Sequence, residues 1–141
     1  MSNRKVYISG EIVPEVDAKI SIFDSAVLLG DTVTESTRTF NFKPFKLDEH
    51  LERLYKSFKL TRIDPQMTIE EMKKVSLELL EINKDNYKAN EDCWLVHNIS
   101  RGHSITGGNP ALQVSKPTVM IYTQPMNLVS WAPFYRKGCH A

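Results

Sequence analysis

Cysteine is scarce in this 141-residue sequence, which contains only Cys93 and Cys139. The two residues are far apart and belong to no CxxC or Cys/His pattern. A disulfide framework needs several paired cysteines, and a zinc site needs closely spaced ligands. We therefore expect two separate free thiols, with neither a disulfide nor a metal site.

Neither sign of charge is in excess, because 18 lysines and arginines stand against 17 aspartates and glutamates, for a formal net charge of +1. This balance gives no support for nucleic acid or an anionic membrane as a partner. The longest apolar runs, residues 26–29 and 118–122, are too short to span a bilayer, and the polar residues 1–5 open no signal peptide. Composition and length predict a single-domain, cytoplasmic protein.

Several familiar catalytic motifs are absent as well, namely GxGxxG, the P-loop, HExxH and GxSxG. The acidic pairs at 48–49 and 70–71 lie at predicted helix starts, where the helix dipole favours carboxylates without acid–base work. We interpret the histidines as structural or surface residues, because they are scattered without a paired nucleophile or ligand spacing. They are His50, His97, His103 and His140.

What the sequence does contain is a series of short alternating segments bounded by turn residues. Ser9-Gly10 predicts a tight hairpin near the N-terminus, Asn41-Phe42 predicts a second bend, and residues 24–31 read as a turn segment. Residues 102–110 predict a glycine-containing loop. The predicted strands cover residues 6–8, 11–13, 19–23, 32–40, 43–46, 93–101 and 117–123.

Two amphipathic helices interrupt this β pattern. The first has Asp48 as its predicted N-cap and an apolar stripe of Leu51, Leu54, Tyr55 and Phe58. The second starts at a capping box, Thr68 to Glu71, and runs to about residue 83 or 84. Its predicted inner face consists of Ile69, Met72, Val75, Leu79 and Ile82. The class is therefore α+β, an antiparallel sheet built from hairpins with two amphipathic helices packed on one face.

Two motifs make the sequence more specific. Gly-Asp-x-Val-x-Glu occupies residues 30–35, and Leu-Asp-Glu-His-Leu-x-Arg-Leu occupies residues 47–54, with Ser-Arg-Gly at 100–102 behind them. In this order they resemble the class IV pyridoxal-phosphate-dependent aminotransferases, which include the branched-chain and D-amino acid aminotransferases. The resemblance implies a small N-terminal domain over residues 1–126, followed at 127–141 by a linker and the start of a larger domain.

The resemblance also implies ligands and partners. The complete enzymes use pyridoxal 5′-phosphate to exchange an amino group between an amino acid, or a chiral amine, and a 2-oxo acid. They are commonly homodimers, so a homodimer is expected here. The arginine of the helix motif binds the cofactor phosphate in this family, and it matches Arg53. That residue lies nearly opposite the apolar stripe of its helix, so we expect it to be free to reach a neighbouring domain.

In related enzymes the strand after Gly30-Asp31 lines the substrate cleft, and alternation places Thr34, Ser36 and Arg38 on its polar side. Thr34 stands where many relatives have an aromatic residue. Val96 stands near the position of an arginine in the branched-chain enzymes, and residues 102–108 replace an Arg-x-His loop of the D-amino acid enzymes. We predict that Arg38 receives a substrate carboxylate, with Arg101 as a weaker candidate.

The lysine that carries the cofactor belongs to the larger domain in this family, and no segment here matches its motif. Lys137 lies in a stretch that precedes it. We therefore expect no catalytic residue within these 141 residues, and a fragment that is inactive by itself. Two alternatives stay open: a fragment of an aminodeoxychorismate-lyase-like pyridoxal-phosphate enzyme, and a non-catalytic interaction module derived from the small domain.

Overall fold

The computed structural model describes residues 3–88, 91–103, 116–126 and 128–139. One antiparallel sheet of six strands forms its centre, in the spatial order β2-β1-β6-β5-β3-β4. The strands are β1 Lys5–Ile8, β2 Glu11–Pro14, β3 Thr32–Phe40, β4 Lys43–Pro44, β5 Cys93–Ser100 and β6 Thr118–Pro125. The helices are α1 Ser25–Leu29, α2 Leu47–Thr61, α3 Ile69–Asn83 and α4 Leu128–Lys137, with short 3-10 turns at Glu15–Asp17 and Lys84–Asn86.

Helices α2 and α3 cover one face of the sheet, which confirms the predicted α+β class. Their inner side chains, among them Leu51, Leu54, Phe58, Met72 and Leu79, pack with sheet residues in a single apolar core. Burial of each such side chain contributes ~1.5–3 kcal/mol relative to its exposure to water. Because strand side chains alternate, every second residue of β3 is buried beneath the helices and the intervening residues lie on the opposite, open face.

Both predicted hairpins and the capping box are confirmed. Ser9 and Gly10 have positive φ angles of 47° and 113°, as a tight two-residue hairpin requires. The Thr68 hydroxyl accepts from the Glu71 amide while the Glu71 carboxylate accepts from the Thr68 amide. These features depend on neighbouring residues alone, so the sequence pattern was sufficient to predict them.

The predicted strand over residues 19–23 is wrong, and the following turn segment contains a helix instead. Among the residues that the structure describes, 19–22 have no strand partner, and the one ladder contact nearby is an isolated bridge between Asp24 and His103. The Asp24 side chain accepts from the Ala26 amide at 2.9 Å and caps α1, and Gly30, with a φ of 66°, ends that helix. Five residues are too few for a helical period to show in the sequence.

Two predicted details of the helices are also wrong. Asp48 is not the N-cap of α2, since Lys46 holds that position with a φ of 54° and Asp48 lies in the first turn. There the Asp48 carboxylate pairs with Lys73 of α3 at 2.7 Å. Ile82 is 43% exposed, and Asn83 is buried in its place because its amide binds the Lys5 backbone at 2.7 and 2.9 Å.

Gly102, in the turn that follows β5, occupies a position that only glycine fits. Its φ is 95°, and a methyl group added there would lie 1.9 Å from the Lys116 carbonyl oxygen. The Gly102 carbonyl accepts from the Ser25 amide at 2.8 Å, so this turn also fixes the start of α1. Most of the loop predicted at 102–110 lies outside the described residues.

We expect Gly102→Ala to lower the free energy of unfolding by about 3 kcal/mol, because the positive φ costs ~1–3 kcal/mol and the methyl group displaces backbone atoms. Urea denaturation measures this change. Gly30→Ala is the matched control, since Gly30 also has a positive φ but no atom within 4 Å of the added methyl. Its expected cost is ~1–2 kcal/mol. Equal costs for the two variants would contradict the packing explanation.

Candidate functional site

A charged cluster joins the middle of β3 to the first half of α2. Glu35 lies on the helix-covered face of β3, and its side chain is only 7% exposed. Arg53 donates to both carboxylate oxygens, from Nε at 2.7 Å and from Nη2 at 2.6 Å. His50, three residues before Arg53 on the helix, places Nδ1 2.8 Å from Oε1 of the same carboxylate. Glu35 therefore orients both side chains.

The electrostatics of the cluster favour the ionised carboxylate. Burial raises the pKa of Glu35, but hydrogen bonds from Arg53, His50 and the Ser36 amide outweigh it and lower that pKa to about 2. The same contact raises the pKa of Arg53, so the guanidinium stays protonated. Arg53 and Glu35 form a bidentate salt bridge, a geometry that fixes the plane of the guanidinium as well as its position.

The expectation that Arg53 is free needs correction. Its side chain is 66% exposed, yet two of its three nitrogens are committed to Glu35. Within the described part of the chain, no acceptor binds Nη1, so that edge of the guanidinium can still donate to a ligand. The helix motif points to Arg53, but strand and helix patterns did not predict Glu35 and His50 as members of the same cluster. Their membership of the same two motifs was the available signal.

The predicted substrate-side residues lie on the open face of the sheet. Thr34 and Ser36 are exposed and Arg38 is partly buried, as strand alternation predicted. Val96 is the direct cross-strand neighbour of Ser36, so these two predicted residues are adjacent. Val96 is 5% exposed and offers a small apolar contact rather than a charge. What these residues bind stays a prediction.

The free edge of β3 brings the two groups of residues together. On one side β3 pairs with β5 from Thr32 to Arg38. On the other side, within the described residues, the partners are β4, which pairs with Thr39 and Phe40, and the Phe45 amide, which donates to the Arg38 carbonyl at 2.9 Å. The Ser36 amide bonds to the Glu35 carboxylate at 3.1 Å rather than to a strand. Arg53 and the open-face residues Thr34 and Ser36 therefore border the same unpaired strand edge, from opposite faces of the sheet.

An aromatic ring, rather than a carboxylate, contacts the Arg38 guanidinium in the described part of the chain. Its guanidinium carbon lies 3.8 Å from the centre of the Phe40 ring, and Trp94 is its cross-strand neighbour. Nε makes one long contact, 3.4 Å, to the Thr39 carbonyl. No carboxylate in the described ranges lies within 4.0 Å of Arg38. Its charge is accessible to an anionic ligand.

Arg101, the weaker candidate, has a structural role. Its Nε donates to the Asp31 carboxylate at 2.7 Å, and its Nη atoms donate to the carbonyls of Arg62 and Thr61 at 2.7 and 2.9 Å. These contacts join the start of β3 and the end of β5 to the C-terminal end of α2. Arg101 is therefore occupied in holding the sheet and helix together, and we do not propose it as a substrate ligand.

The two cysteines differ in their environments. Cys93 is buried and Cys139 exposed, and both are free thiols. Burial raises the pKa of Cys93 to about 11, which keeps its thiol protonated.

No cluster of potential metal ligands occurs among the residues that the structure describes. None of the helices in those same ranges combines the length and apolar character needed to cross a bilayer.

Comparison with known proteins identifies the family. The sequence profile of amino-transferase class IV matches residues 32–137, which include the Glu35 and Arg53 pair. The chain belongs to the class IV aminotransferase family. A putative branched-chain-amino-acid aminotransferase of Methanocaldococcus jannaschii is 39% identical over 122 residues, covering 86% of this chain and 40% of the relative. A D-alanine aminotransferase of Staphylococcus epidermidis is 32% identical over 120 residues, covering 85% and 41%.

Solved structures of class IV aminotransferases share the fold. The branched-chain amino acid aminotransferase from Escherichia coli superposes with a TM-score of 0.73 at 25% identity, and the match covers 88% of this chain and 41% of that one. Another branched-chain amino acid aminotransferase was solved with pyridoxamine 5′-phosphate, and it superposes with a TM-score of 0.74. This chain thus spans about two fifths of the length of each of these relatives. The cofactor of the complete class IV enzymes is the pyridoxal phosphate that the motifs implied.

We expect the Glu35 cluster to make stability depend on pH. As pH falls from 4.5 towards 2, unfolded Glu35 takes up a proton while the folded carboxylate stays ionised, so the folded state loses stability. The Glu35→Gln variant lacks the ion pair with Arg53, so we expect its free energy of unfolding at pH 7 to be lower than that of the wild type. Because glutamine does not titrate, that free energy should also fall less between pH 4.5 and 2. Urea denaturation between pH 2 and 7 measures both.

Glu49→Gln is the matched control, because Glu49 is an exposed carboxylate of α2 whose ion pair with Lys46 has a length of 3.5 Å. That variant should follow the wild-type pH profile. Parallel profiles for wild type and Glu35→Gln would contradict the stabilising role of the Glu35 cluster.

Proposed function

We propose that this chain forms one wall of the active site of a pyridoxal-phosphate-dependent aminotransferase. In this proposal residues 1–126 are the small N-terminal domain, and residues 127–141 lead into a larger domain that supplies the lysine. The complete enzyme transfers an amino group from an amino acid or chiral amine to a 2-oxo acid. The observation that carries the proposal is the Arg53 guanidinium, which Glu35 orients at the open edge of β3.

The proposed ligand of Arg53 is the cofactor phosphate. A guanidinium offers hydrogen-bond donors in a plane that fits phosphate oxygens, and a fixed plane reduces the entropy lost on binding. Glu35 supplies that fixation through two short bonds, and Nη1 keeps its donors for the phosphate. Arg53 thus fits the task because it is held on one edge and accessible on the other.

When bound, pyridoxal phosphate supplies an electron-accepting ring for amino-group transfer. The contribution of this chain is positioning and recognition. Arg53 anchors the phosphate on one side of the β3 edge, while Thr34, Ser36 and Val96 border the substrate on the other side. Thr34 and Ser36 bring hydroxyl groups, and Val96 brings an apolar surface next to Ser36.

Arg38 is the proposed ligand of the substrate carboxylate. Its stacking on Phe40 restricts the guanidinium, and it lies on the same face as Thr34 and Ser36. Among the arginines of the sheet, Arg101 is occupied by Asp31 whereas Arg38 has no carboxylate partner in the described ranges. This contrast favours Arg38 for an anionic substrate.

We further propose that the enzyme is a cytoplasmic homodimer. Helix α1 and the residues before it expose several large apolar side chains, an unusual concentration for a surface in contact with water. They are Ile22, Phe23, Val27, Leu28 and Leu29. A second subunit that covered them would remove this apolar area from water.

We expect Arg53→Leu to raise the dissociation constant of pyridoxal phosphate by about 10- to 100-fold in the chain joined to its lysine-bearing domain. The reason is the loss of charge-assisted hydrogen bonds worth ~1.5–3 kcal/mol. Equilibrium dialysis of the cofactor measures the change. Arg53→Lys, which keeps the charge but not the fork, should recover part of the affinity. Lys56→Met on the same helix is the control, and an unchanged affinity in Arg53→Leu would refute the proposal.

We expect Arg38→Leu to raise the KM for the 2-oxo acid by about tenfold in the same complete enzyme, because the substrate loses one charge-assisted contact of ~1.5 kcal/mol. The affinity for pyridoxal phosphate should stay at the wild-type value, which separates Arg38 from Arg53. Steady-state kinetics measure the change, with Lys43→Met in the neighbouring strand as the control. Unchanged KM values for both substrates would remove Arg38 from the site.

A further inference from the structure

His97 is a buried polar residue that lies behind the Glu35 cluster. Its side chain is fully buried on the helix-covered face of β5, and it is the direct cross-strand neighbour of Glu35. On its other side it contacts α3, where His97 Nε2 lies 2.7 Å from the Ser76 hydroxyl. Polar side chains therefore form a row from Ser76 of α3, through His97 and Glu35 of the sheet, to Arg53 of α2.

The hydrogen bonds of Ser76 assign the proton on the imidazole. The Ser76 hydroxyl donates its one proton to the Met72 carbonyl at 2.7 Å, so towards His97 it can only accept. His97 must then donate from Nε2, which makes Nδ1 the unprotonated nitrogen of the neutral ring. In agreement, Nδ1 is buried and has no hydrogen-bond partner in the described part of the chain.

The charge of the His97 ring affects the Glu35 carboxylate, because the two residues are cross-strand neighbours. Burial lowers the pKa of His97 to about 4, and the nearby Glu35 and His50 make smaller contributions in opposite directions. At neutral pH the ring therefore carries no charge, and its single N–H is used by Ser76. It has no donor left for the Glu35 carboxylate. A charged imidazolium opposite Glu35 would instead attract the carboxylate away from the guanidinium.

We propose that His97 is a positioning residue for Arg53. The neutral imidazole, anchored to α3 through Ser76, supports Glu35 from the neighbouring strand and leaves its carboxylate to the donors on α2 and to the Ser36 amide. Helix α3, which contributes no ligand to the proposed site, thereby controls where the Arg53 guanidinium is held. The position of Arg53 can be measured without cofactor. Only the consequence of that position for cofactor binding rests on the proposed function.

The test uses the ¹⁵N-labelled 141-residue chain without cofactor and follows the Arg53 Nε–H signal by NMR. In His97→Leu, which fills similar volume without a donor to Ser76, we expect this signal to shift and its hydrogen exchange to accelerate about tenfold, the factor for ~1.4 kcal/mol of lost interaction. His97→Gln, whose amide can donate to Ser76, should restore most of the protection. The Arg53→Lys variant identifies the signal.

Leu95→Val is the matched control, because Leu95 is a fully buried β5 residue on the same face that takes no part in the polar row. It should lower thermal stability and leave the Arg53 Nε–H signal unchanged. If His97→Leu behaves like Leu95→Val, losing stability without changing that signal, then His97 serves packing alone and the inference is overturned.

A second measurement needs no variant of His97 and so does not depend on whether the variant folds. The ¹⁵N shifts of the His97 ring should show a protonated Nε2 and an unprotonated Nδ1 at about pH 7, well above the lowered pKa of the ring. A protonated Nδ1 would overturn the inference, since that nitrogen could then compete for the Glu35 carboxylate. Failure of the proposed function is distinguishable, because Arg53→Leu would leave pyridoxal-phosphate affinity unchanged while these NMR results stood.

Discussion

The rest of the site depends on one constraint, which is that the Glu35 carboxylate is almost buried and must stay ionised. A buried carboxylate is costly unless donors surround it, and here Arg53 and His50 supply those donors. The partners lie on α2, so satisfying the charge also fixes the helix against β3. The requirement that stabilises the fold thus orients the guanidinium that we propose for the phosphate.

Strand alternation places neighbouring residues of β3 on opposite faces of the sheet. Glu35 faces the helices, and its neighbours Thr34 and Ser36 face the open side. Because β4 pairs only with the end of β3, the edge beside these residues is free in the described structure. In the proposed site, β3 therefore holds the Arg53 guanidinium of α2 through Glu35 on one face and presents Thr34 and Ser36 on the other.

The partners of the three arginines proposed as anion ligands could not be predicted from the residues around each of them in the sequence. All three have the same chemistry, but Arg53 meets a carboxylate 18 residues away and Arg101 meets one 70 residues away. Arg38 stacks on Phe40 instead. Which arginine is committed and which is accessible depends on these distant partners. Strand parity placed Arg38 on the correct face, but it could not show that Arg101 holds the end of α2.

The sequence by itself determined the hairpins, the capping box, the two amphipathic helices and the family, because each depends on residue types at short, regular spacing. It did not predict α1, whose five residues rely on the Asp24 cap, or the burial of Asn83, whose partner is the Lys5 backbone. Tertiary structure alone decided that Glu35 meets Arg53 and that His97 lies opposite Glu35. The physical reason is that buried polar groups must find partners, and in this chain those partners are distant in sequence.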